Sequence, residues 1–202
     1  ACLATLLCLA ALQGCGEDGG RAHASAQGAG GSGGAGAGPR RDLVLITVDT
    51  TRADHLGSYG NPLPITPHLD ALAKRGAVFE RAYASMPQTL PSHATMLTGL
   101  VPRLHGALIN SRRLPGRVTT LAEVLQAEGY RTGAAVGAVV LRADMGIGQG
   151  FEDFDQPGDE YKKGNRVVRR PAADVTDAAL AWARRVDGRY FLWVHYYDPH
   201  DP

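Results

Sequence analysis

The segment DLVLITVD, residues 42–49, decides the fold, because it is a continuous apolar and β-branched run between two aspartates. Such a run is typical of a strand buried on both faces of a parallel sheet. YFLWVHYY (190–197) is a second buried strand of this kind, and YRTGAAVGAVV (130–140) is a third candidate. AVFERAYAS (77–85) also reads as a strand, and QGFEDFD (149–155) reads as a loop.

Helical patterns separate these runs. TPHLDALAKRG (66–76) begins with a Thr-Pro pair and ends at a glycine, and a shorter helix is expected from Pro91 to Gly99. TTLAEVLQAEG (119–129) carries a capping box formed by Thr120 and Glu123, and 172–188 is the longest helical pattern. Strands that alternate with helices predict an α/β fold, a mostly parallel sheet sandwiched by helices.

The first 40 residues have a different composition. Residues 1–15 form an uncharged apolar run that ends in LQGC, which predicts a signal peptide with a lipobox and Cys15 as the lipidated residue. A plain secretory signal and an uncleaved anchor are the alternatives. Residues 16–40 are rich in glycine and predict a flexible linker. We therefore expect an exported bacterial lipoprotein of the cell envelope, held at the membrane through its lipid anchor only.

Charge and cysteine usage exclude several functions for the remainder. The chain has 202 residues and a net charge of +1, and no basic stripe indicates nucleic-acid binding. All three cysteines, Cys2, Cys8 and Cys15, precede the linker. The globular part therefore has no disulfide, thiolate metal site or cysteine nucleophile.

Polar clusters follow three predicted strands, at the carboxyl ends where ligands of open α/β sheets bind. Asp49-Thr50 follows the first strand, Thr89 to His93 follows the strand predicted at 77–85, and Asp198 to His200 follows the last. A rigid aspartate at a strand end is a suitable ligand for a divalent cation, although it can also be a capping residue. Thr89 stands at a helix mouth, where backbone N–H groups attract anions, although an N-cap threonine would look the same. Together these residues suggest a metal-activated hydroxyl that attacks a tetrahedral anion.

Five ordered segments resemble the N-terminal half of a sulfatase-family enzyme of the alkaline phosphatase superfamily: DLVLITVDTTRADHLGSYGN, TPHLDALAKRGAVFERAYAS, TLPSHATMLTGLVPRLHG, TLAEVLQAEGYRT and HYYDPHDP. The resemblance implies the alkaline-phosphatase-like fold, with residues 41–202 as the N-terminal part of a longer catalytic domain. It also implies an ester of a small molecule, glycan or lipid as substrate.

The resemblance assigns roles residue by residue. Asp49, Thr50 and Thr89 would bind the metal, for which Ca²⁺ is expected first and Mn²⁺ or Zn²⁺ are alternatives. Thr89 would also be the nucleophile, and His93, His105 and His200 would assist it, with His93 as a donor to the nucleophile or the anion. Ser92 and Asn110 would contact the substrate. For His93 and His105 the alternative is a loop histidine bonded to the backbone, and for Asn110 it is a surface loop.

The sequence departs from the sulfatase pattern at the nucleophile. Sulfatases have Cys-x-Pro-Ser-Arg where this chain has Thr89 to His93, and the cysteine becomes formylglycine, so no formylglycine is expected here. The second hydroxyl of hydrated formylglycine expels sulfate, whereas the adduct of a threonine must be released by a second attack. Thr50 replaces a second aspartate, and Gly137-Ala138 stands where sulfatases have Gly-Lys.

These departures favour phosphodiester chemistry over sulfate-ester hydrolysis without changing the fold. A transferase that passes a phosphoryl-linked group to an envelope alcohol is one alternative. A catalytically silent lipoprotein that binds anionic glycans is another.

Overall fold

The computed structural model describes residues 8–11, 41–158, 162–163, 166–167 and 170–200. The predicted lipidation site Cys15 and the predicted linker 16–40 lie outside these residues. Of the predicted signal segment, only residues 8–11 are described. None of the described helices is long and apolar enough to cross a membrane.

One five-stranded sheet runs through the described residues, in the order β1-β2-β7-β3-β4. Its strands are β1, Cys8–Ala11; β2, Leu43–Val48; β3, Arg131–Val136; β4, Asp153–Asp155; and β7, Tyr190–Tyr196. The last four in this sheet order are parallel, and β1 is antiparallel to β2 at the edge. Two short strands, β5 (Lys162–Lys163) and β6 (Arg166–Val167), form a separate antiparallel pair. The predicted parallel α/β sheet is confirmed.

The helices are α1, Pro67–Ala73; α2, Thr89–Thr98; α3, Pro102–His105; α4, Leu121–Ala127; and α5, Ala172–Arg185. All four predicted helices form. The capping box of α4 is complete, since the Thr120 hydroxyl accepts from Glu123 N–H and the Glu123 carboxylate accepts from Thr120 N–H. Gly99 ends α2 in the left-handed conformation, with φ of 68°.

Helices cover both faces of the sheet. Residues of β7 alternate between the faces, so that Phe191 and Trp193 pack with the buried side chains of α2 and α4, whereas Leu192 and Val194 pack with α5. A parallel strand that is apolar on both faces needs such a double cover. Polar side chains in this strand are therefore unusual and point to a specific role.

Two predictions from sequence are wrong. Residues 77–85 form no strand: the segment lies outside the described sheet, and Phe79 and Tyr83 are largely exposed. Strands β1 and β4 occupy the two edges of that sheet, so residues 77–85 do not pair with it. The predicted loop 149–155 instead contains β4, because Phe154 packs against Phe151 and Trp193 and holds the segment beside β3.

Helix α5 lies close to β3 at a glycine. A Cβ atom added to Gly133 would overlap the indole ring of Trp182 in α5. The Trp182 indole N–H donates to the Asp153 carboxylate at 2.7 Å, so the ring is fixed between β3 and β4. The glycine therefore sets the approach of α5 to the sheet.

Replacing Gly133 by alanine is expected to lower the free energy of unfolding by about 1–3 kcal/mol, because the added methyl group displaces the fixed ring. Urea unfolding of the full-length protein measures the change. Gly76→Ala is the matched control, since its nearest contact would be an ordinary 3.6 Å from the Leu72 carbonyl. Equal stability of the two variants would contradict this packing.

Candidate active site

The ends of β2 and β7 lie side by side at one edge of the sheet. Asp49, the first residue after β2, donates its backbone N–H to the Tyr196 carbonyl at the end of β7, at 2.9 Å. His200 follows four residues later. The Asp49 and His200 segments therefore lie at the same carboxyl edge of the sheet.

Asp49 and Thr89 are in direct contact. The Thr89 hydroxyl donates to Asp49 Oδ2 at 3.1 Å, and the two residues are only 7% and 5% exposed. A buried carboxylate is costly unless it has a donor or a cation beside it. The hydroxyl of Thr89 supplies one such donor.

Helix α2 begins earlier than the sequence predicted. Its N-cap is Gln88, so Thr89 is the first helical residue rather than the cap. Asn110 Oδ1 accepts the Leu90 N–H at 2.9 Å, and Pro91 has no N–H. The helix mouth thus offers an anion fewer backbone donors than expected. Because Oδ1 is used in this way, the substrate contact predicted for Asn110 would have to come from its Nδ2 group.

His93 is bonded to the backbone of Thr89, the predicted nucleophile. Its Nδ1 lies 2.7 Å from the Thr89 carbonyl, which can only accept, so Nδ1 carries the proton. Burial lowers the pKa of His93, although the bond to Thr89 and the charge of Asp49 oppose this. The neutral ring therefore presents a lone pair at Nε2. The ring N–H that was predicted to donate to the nucleophile or the anion bonds instead to the Thr89 carbonyl.

His105 has partners for both ring nitrogens. Nδ1 accepts the Ala107 N–H at 3.1 Å, and Nε2 lies 3.2 Å from the Thr95 hydroxyl. The Thr95 hydroxyl donates its own hydrogen to the Pro91 carbonyl, so it accepts the Nε2–H of His105. These contacts support the alternative reading of His105 as a structural residue that joins α2 to the turn after α3. The catalytic role stays a prediction without a supporting contact.

Two further predicted residues lie near this edge. Ser92 is buried, and its backbone N–H makes the first hydrogen bond of α2, to the Gln88 carbonyl. His200 is half-buried and stacks on Tyr197, with ring centroids 4.5 Å apart. Their predicted contacts with substrate stay predictions.

Sequence reasoning missed one buried histidine. His195 of β7 is fully buried, with its Nε2 3.8 Å from Asp49 Oδ2 and its ring 4.7 Å from that of His93, edge to face. Burial, and then the neighbouring His93, hold the pKa of His195 well below its usual value. A histidine inside the apolar run YFLWVHYY was the available signal.

Thr50 is strained. It is a β-branched residue at φ of 51°, in the left-handed region that such residues rarely adopt. Its hydroxyl oxygen is buried without a hydrogen-bond partner, as is that of Thr51. Strain and orphaned polar atoms are typical of functional sites.

The oxygen atoms at this edge fit part of the shell of a hard divalent cation. Asp49 offers a carboxylate, and Thr50 and Thr89 offer hydroxyls, which are ligands that Ca²⁺ accepts. Within the described ranges, no three His, Cys, Asp or Glu side chains form a group that could hold a metal ion. The described residues would therefore supply a partial shell only.

The fold and this edge define a member of the alkaline-phosphatase-like class. A family model described as Sulfatase matches residues 41–202, and the chain belongs to the sulfatase family. Human arylsulfatase A is 42% identical over 123 residues, which cover 56% of this chain and 24% of that protein. The chain spans between 14% and 32% of the length of the curated relatives compared with it.

Solved structures share the fold at low identity. A protein solved with its substrate D-glucosamine-2-N,6-O-disulfate gives a TM-score of 0.69 at 22% identity, covering 80% of this chain and 35% of that one. The phosphonate monoester hydrolase of Agrobacterium radiobacter gives 0.65 at 22% identity, covering 79% and 41%. The alkaline-phosphatase-like fold is thus confirmed.

Replacing Thr50 by glycine is expected to raise the free energy of unfolding by about 1 kcal/mol, because glycine adopts positive φ without strain. Equilibrium urea unfolding of the metal-free protein measures the change. Thr51→Gly is the control, since it removes a similar orphaned hydroxyl without the unusual φ, and it should destabilise. A Thr50→Gly protein less stable than the wild type would show that Thr50 is not strained.

His105 predicts how stability depends on pH. Burial lowers its pKa, opposed by the Pro91 backbone, so between the folded and the unfolded pKa the folded state binds fewer protons than the unfolded state. Its contribution to stability is present above the unfolded pKa and is lost as pH falls towards the folded pKa. His105→Gln should therefore flatten the fall in unfolding free energy between about pH 7 and 5. An unchanged slope would contradict this assignment.

Proposed function

We propose that this chain carries the nucleophile half of a metal-dependent ester hydrolase, with Thr89 as the nucleophile and phosphodiesters as the preferred substrates. The observation that carries the proposal is the buried hydrogen bond from the Thr89 hydroxyl to Asp49 Oδ2, at 3.1 Å. It joins a nucleophile to a proton acceptor in a site with little access to water.

The reaction would take two displacements. Thr89 Oγ1 bonds to phosphorus as the bond to the leaving alcohol breaks, and Asp49 is placed to take the hydroxyl proton. The alcohol leaves with a proton, for which His200 is the candidate donor. Water then attacks the phosphorus and gives a proton back to His200, the bond to Thr89 Oγ1 breaks, and the threonine regains its proton from Asp49.

Asp49, Thr50 and Thr89 would hold the cation, with Ca²⁺ expected first and Mn²⁺ or Zn²⁺ as alternatives. A divalent cation there would supply Lewis-acid chemistry, which lowers the pKa of a bound hydroxyl and offsets charge on the anion. The two orphaned threonine hydroxyls beside Asp49 support this proposal.

Three features favour phosphorus over sulfur. Thr89 has a single side-chain oxygen, so its adduct cannot be expelled as the formylglycine adduct of sulfatases is. Ala138, at the position that resembles the sulfatase lysine, is 1% exposed within the apolar core, so that charge is absent from this position. The likeness to a phosphonate monoester hydrolase fits substrates other than sulfate. A sulfated glycan remains the competing substrate, because relatives include N-sulphoglucosamine sulphohydrolase.

The sequence alone supports the cellular location. We propose that the protein is exported and lipidated on Cys15, with residues 16–40 as its tether. Metabolic labelling with palmitate, compared between the wild type and Cys15→Ala, tests this: labelling of the wild type alone is expected, and equal labelling would exclude this anchor.

The function is tested with the full-length protein lacking the lipid anchor, supplied with Ca²⁺, Mn²⁺ or Zn²⁺. Hydrolysis of bis-nitrophenyl phosphate is expected to exceed that of nitrophenyl phosphate and nitrophenyl sulfate. Thr89→Ala should lower kcat for the diester about 10³-fold or more, because no nucleophile remains. Chelation of the metal should abolish the same turnover.

Thr89→Ser is the matched control, since it keeps the hydroxyl and loses only a methyl group, and it should retain diester turnover. Sulfate-ester turnover that depends on Thr89 would overturn the argument for phosphorus. Diester turnover that survives in Thr89→Ala would exclude Thr89 as the nucleophile. Transfer to an added alcohol in place of water would identify a transferase.

A further inference from the structure

A buried chain of polar side chains lies under Asp49 on neighbouring strands. Thr47 of β2 is paired with His195 of β7, and Trp193 stands two residues before the histidine. The Trp193 indole nitrogen lies 3.1 Å from Thr47 Oγ1, which lies 2.9 Å from His195 Nδ1. All three side chains are fully buried.

The surroundings of His195 indicate which ring nitrogen carries its hydrogen. The indole N–H of Trp193 can only donate, so Thr47 Oγ1 accepts from it and keeps its own hydrogen for another acceptor. A hydrogen on Nδ1 would leave a bare lone pair at Nε2 facing the Asp49 carboxylate, 3.8 Å away. The neutral ring is therefore expected to carry its hydrogen on Nε2, with Nδ1 accepting from Thr47.

That N–H faces the catalytic carboxylate. His195 Nε2 is 3.8 Å from Asp49 Oδ2, the same oxygen that accepts the Thr89 hydroxyl, and it has no hydrogen-bond partner. This distance is too long for a hydrogen bond, but catalytic contacts are often long in unliganded proteins and tighten in complexes. Until it takes the Thr89 proton, the buried Asp49 carboxylate is charged, and a second donor beside the Thr89 hydroxyl would stabilise it.

We propose that His195 is a positioning residue, whose Nδ1 accepts from Thr47 and whose Nε2–H holds the Asp49 carboxylate in line with Thr89. This inference rests on the proposed function of the Asp49–Thr89 pair. His195 touches neither the substrate nor the reacting atoms, and acts through Asp49. Residues that orient ligands and bases in this way typically change affinity or activity by about 10–100-fold when replaced.

Nitrogen NMR of the full-length protein labelled with ¹⁵N-histidine tests the tautomer directly. The His195 signals, assigned by their loss in His195→Gln, are expected to show a protonated Nε2 and an unprotonated Nδ1. Thr47→Val, which keeps the shape of the side chain but removes the hydroxyl, should shift the ring towards the other tautomer. A protonated Nδ1 in the wild type would overturn the proposal.

Substitutions test the positioning role. His195→Leu is expected to lower the Ca²⁺ affinity measured by calorimetry about 10–100-fold. It should lower kcat by a similar factor and change KM less. His195→Gln should recover much of both losses, because its amide can place an N–H near the position of Nε2. Thr132→Val is the control, since it removes another fully buried strand hydroxyl. Thr132 lies in β3, and its hydroxyl donates to the Gly150 carbonyl and not to a group of the Asp49 site.

The outcomes separate this inference from the proposed function. Loss of Ca²⁺ affinity in His195→Leu with recovery in His195→Gln, in a protein without esterase activity, would support His195 while refuting the hydrolase. An active hydrolase whose Ca²⁺ affinity and kcat are unchanged in His195→Leu would refute His195 alone. Equal losses in His195→Leu, His195→Gln and Thr132→Val would show a structural role only and overturn the proposal.

Discussion

The parallel pairing of β2 with β7 is the constraint on which the candidate site depends. It runs in one register from Leu43 opposite Phe191 to Val48 opposite Tyr196, and the Asp49 N–H extends it by one bond. Because side chains alternate along a strand, a slip of one residue would move Thr47 to the other face of the sheet. The apolar side chains on both faces of β7 hold the register, so the core and the site are specified together.

Among the described residues, one carboxylate, one hydroxyl and two imidazoles determine the charge at this edge. Asp49 is the buried carboxylate, and the Thr89 hydroxyl is its hydrogen-bonded side-chain donor. The two nearby imidazoles are kept neutral by burial, which lowers the pKa of both His93 and His195. Neutral rings leave the negative charge of Asp49 uncompensated, an arrangement that favours binding of a cation. The orphaned hydroxyls of Thr50 and Thr51 lie in the same segment.

Periodicity and end signals in the sequence were enough to predict the two long strands, all four helices and the parallel sheet. They failed at residues 77–85 and 149–155, because strand formation there depends on which edge of the sheet is free. Asp49 and Thr89 were predicted to lie at one edge because each was expected to follow a strand. They are in contact, although the strand predicted before Thr89, at 77–85, does not form. The role of His105 and the presence of His195 could not be predicted, since both depend on which hydrogen-bond partners the fold supplies. A local motif does not report these partners.

The strain at Thr50 shows the same limit. A threonine after a strand end carries no signal of positive φ, and only the backbone conformation reveals it. The position of Asn110 is similar, because its bond to the Leu90 N–H joins residues that are 20 apart in sequence. Such contacts decide how many donors the helix mouth keeps for an anion, and thus what the site can bind.

The central claim is that Thr89 forms a covalent adduct, and the most direct measurement is mass spectrometry of rapidly quenched reactions with bis-nitrophenyl phosphate. The account predicts a nitrophenyl-phosphoryl group on the peptide that contains Thr89, which forms within one turnover and decays as the second product appears. Steady turnover with no adduct on that peptide, and with nitrophenol and nitrophenyl phosphate released at equal rates from the first turnover, would contradict it.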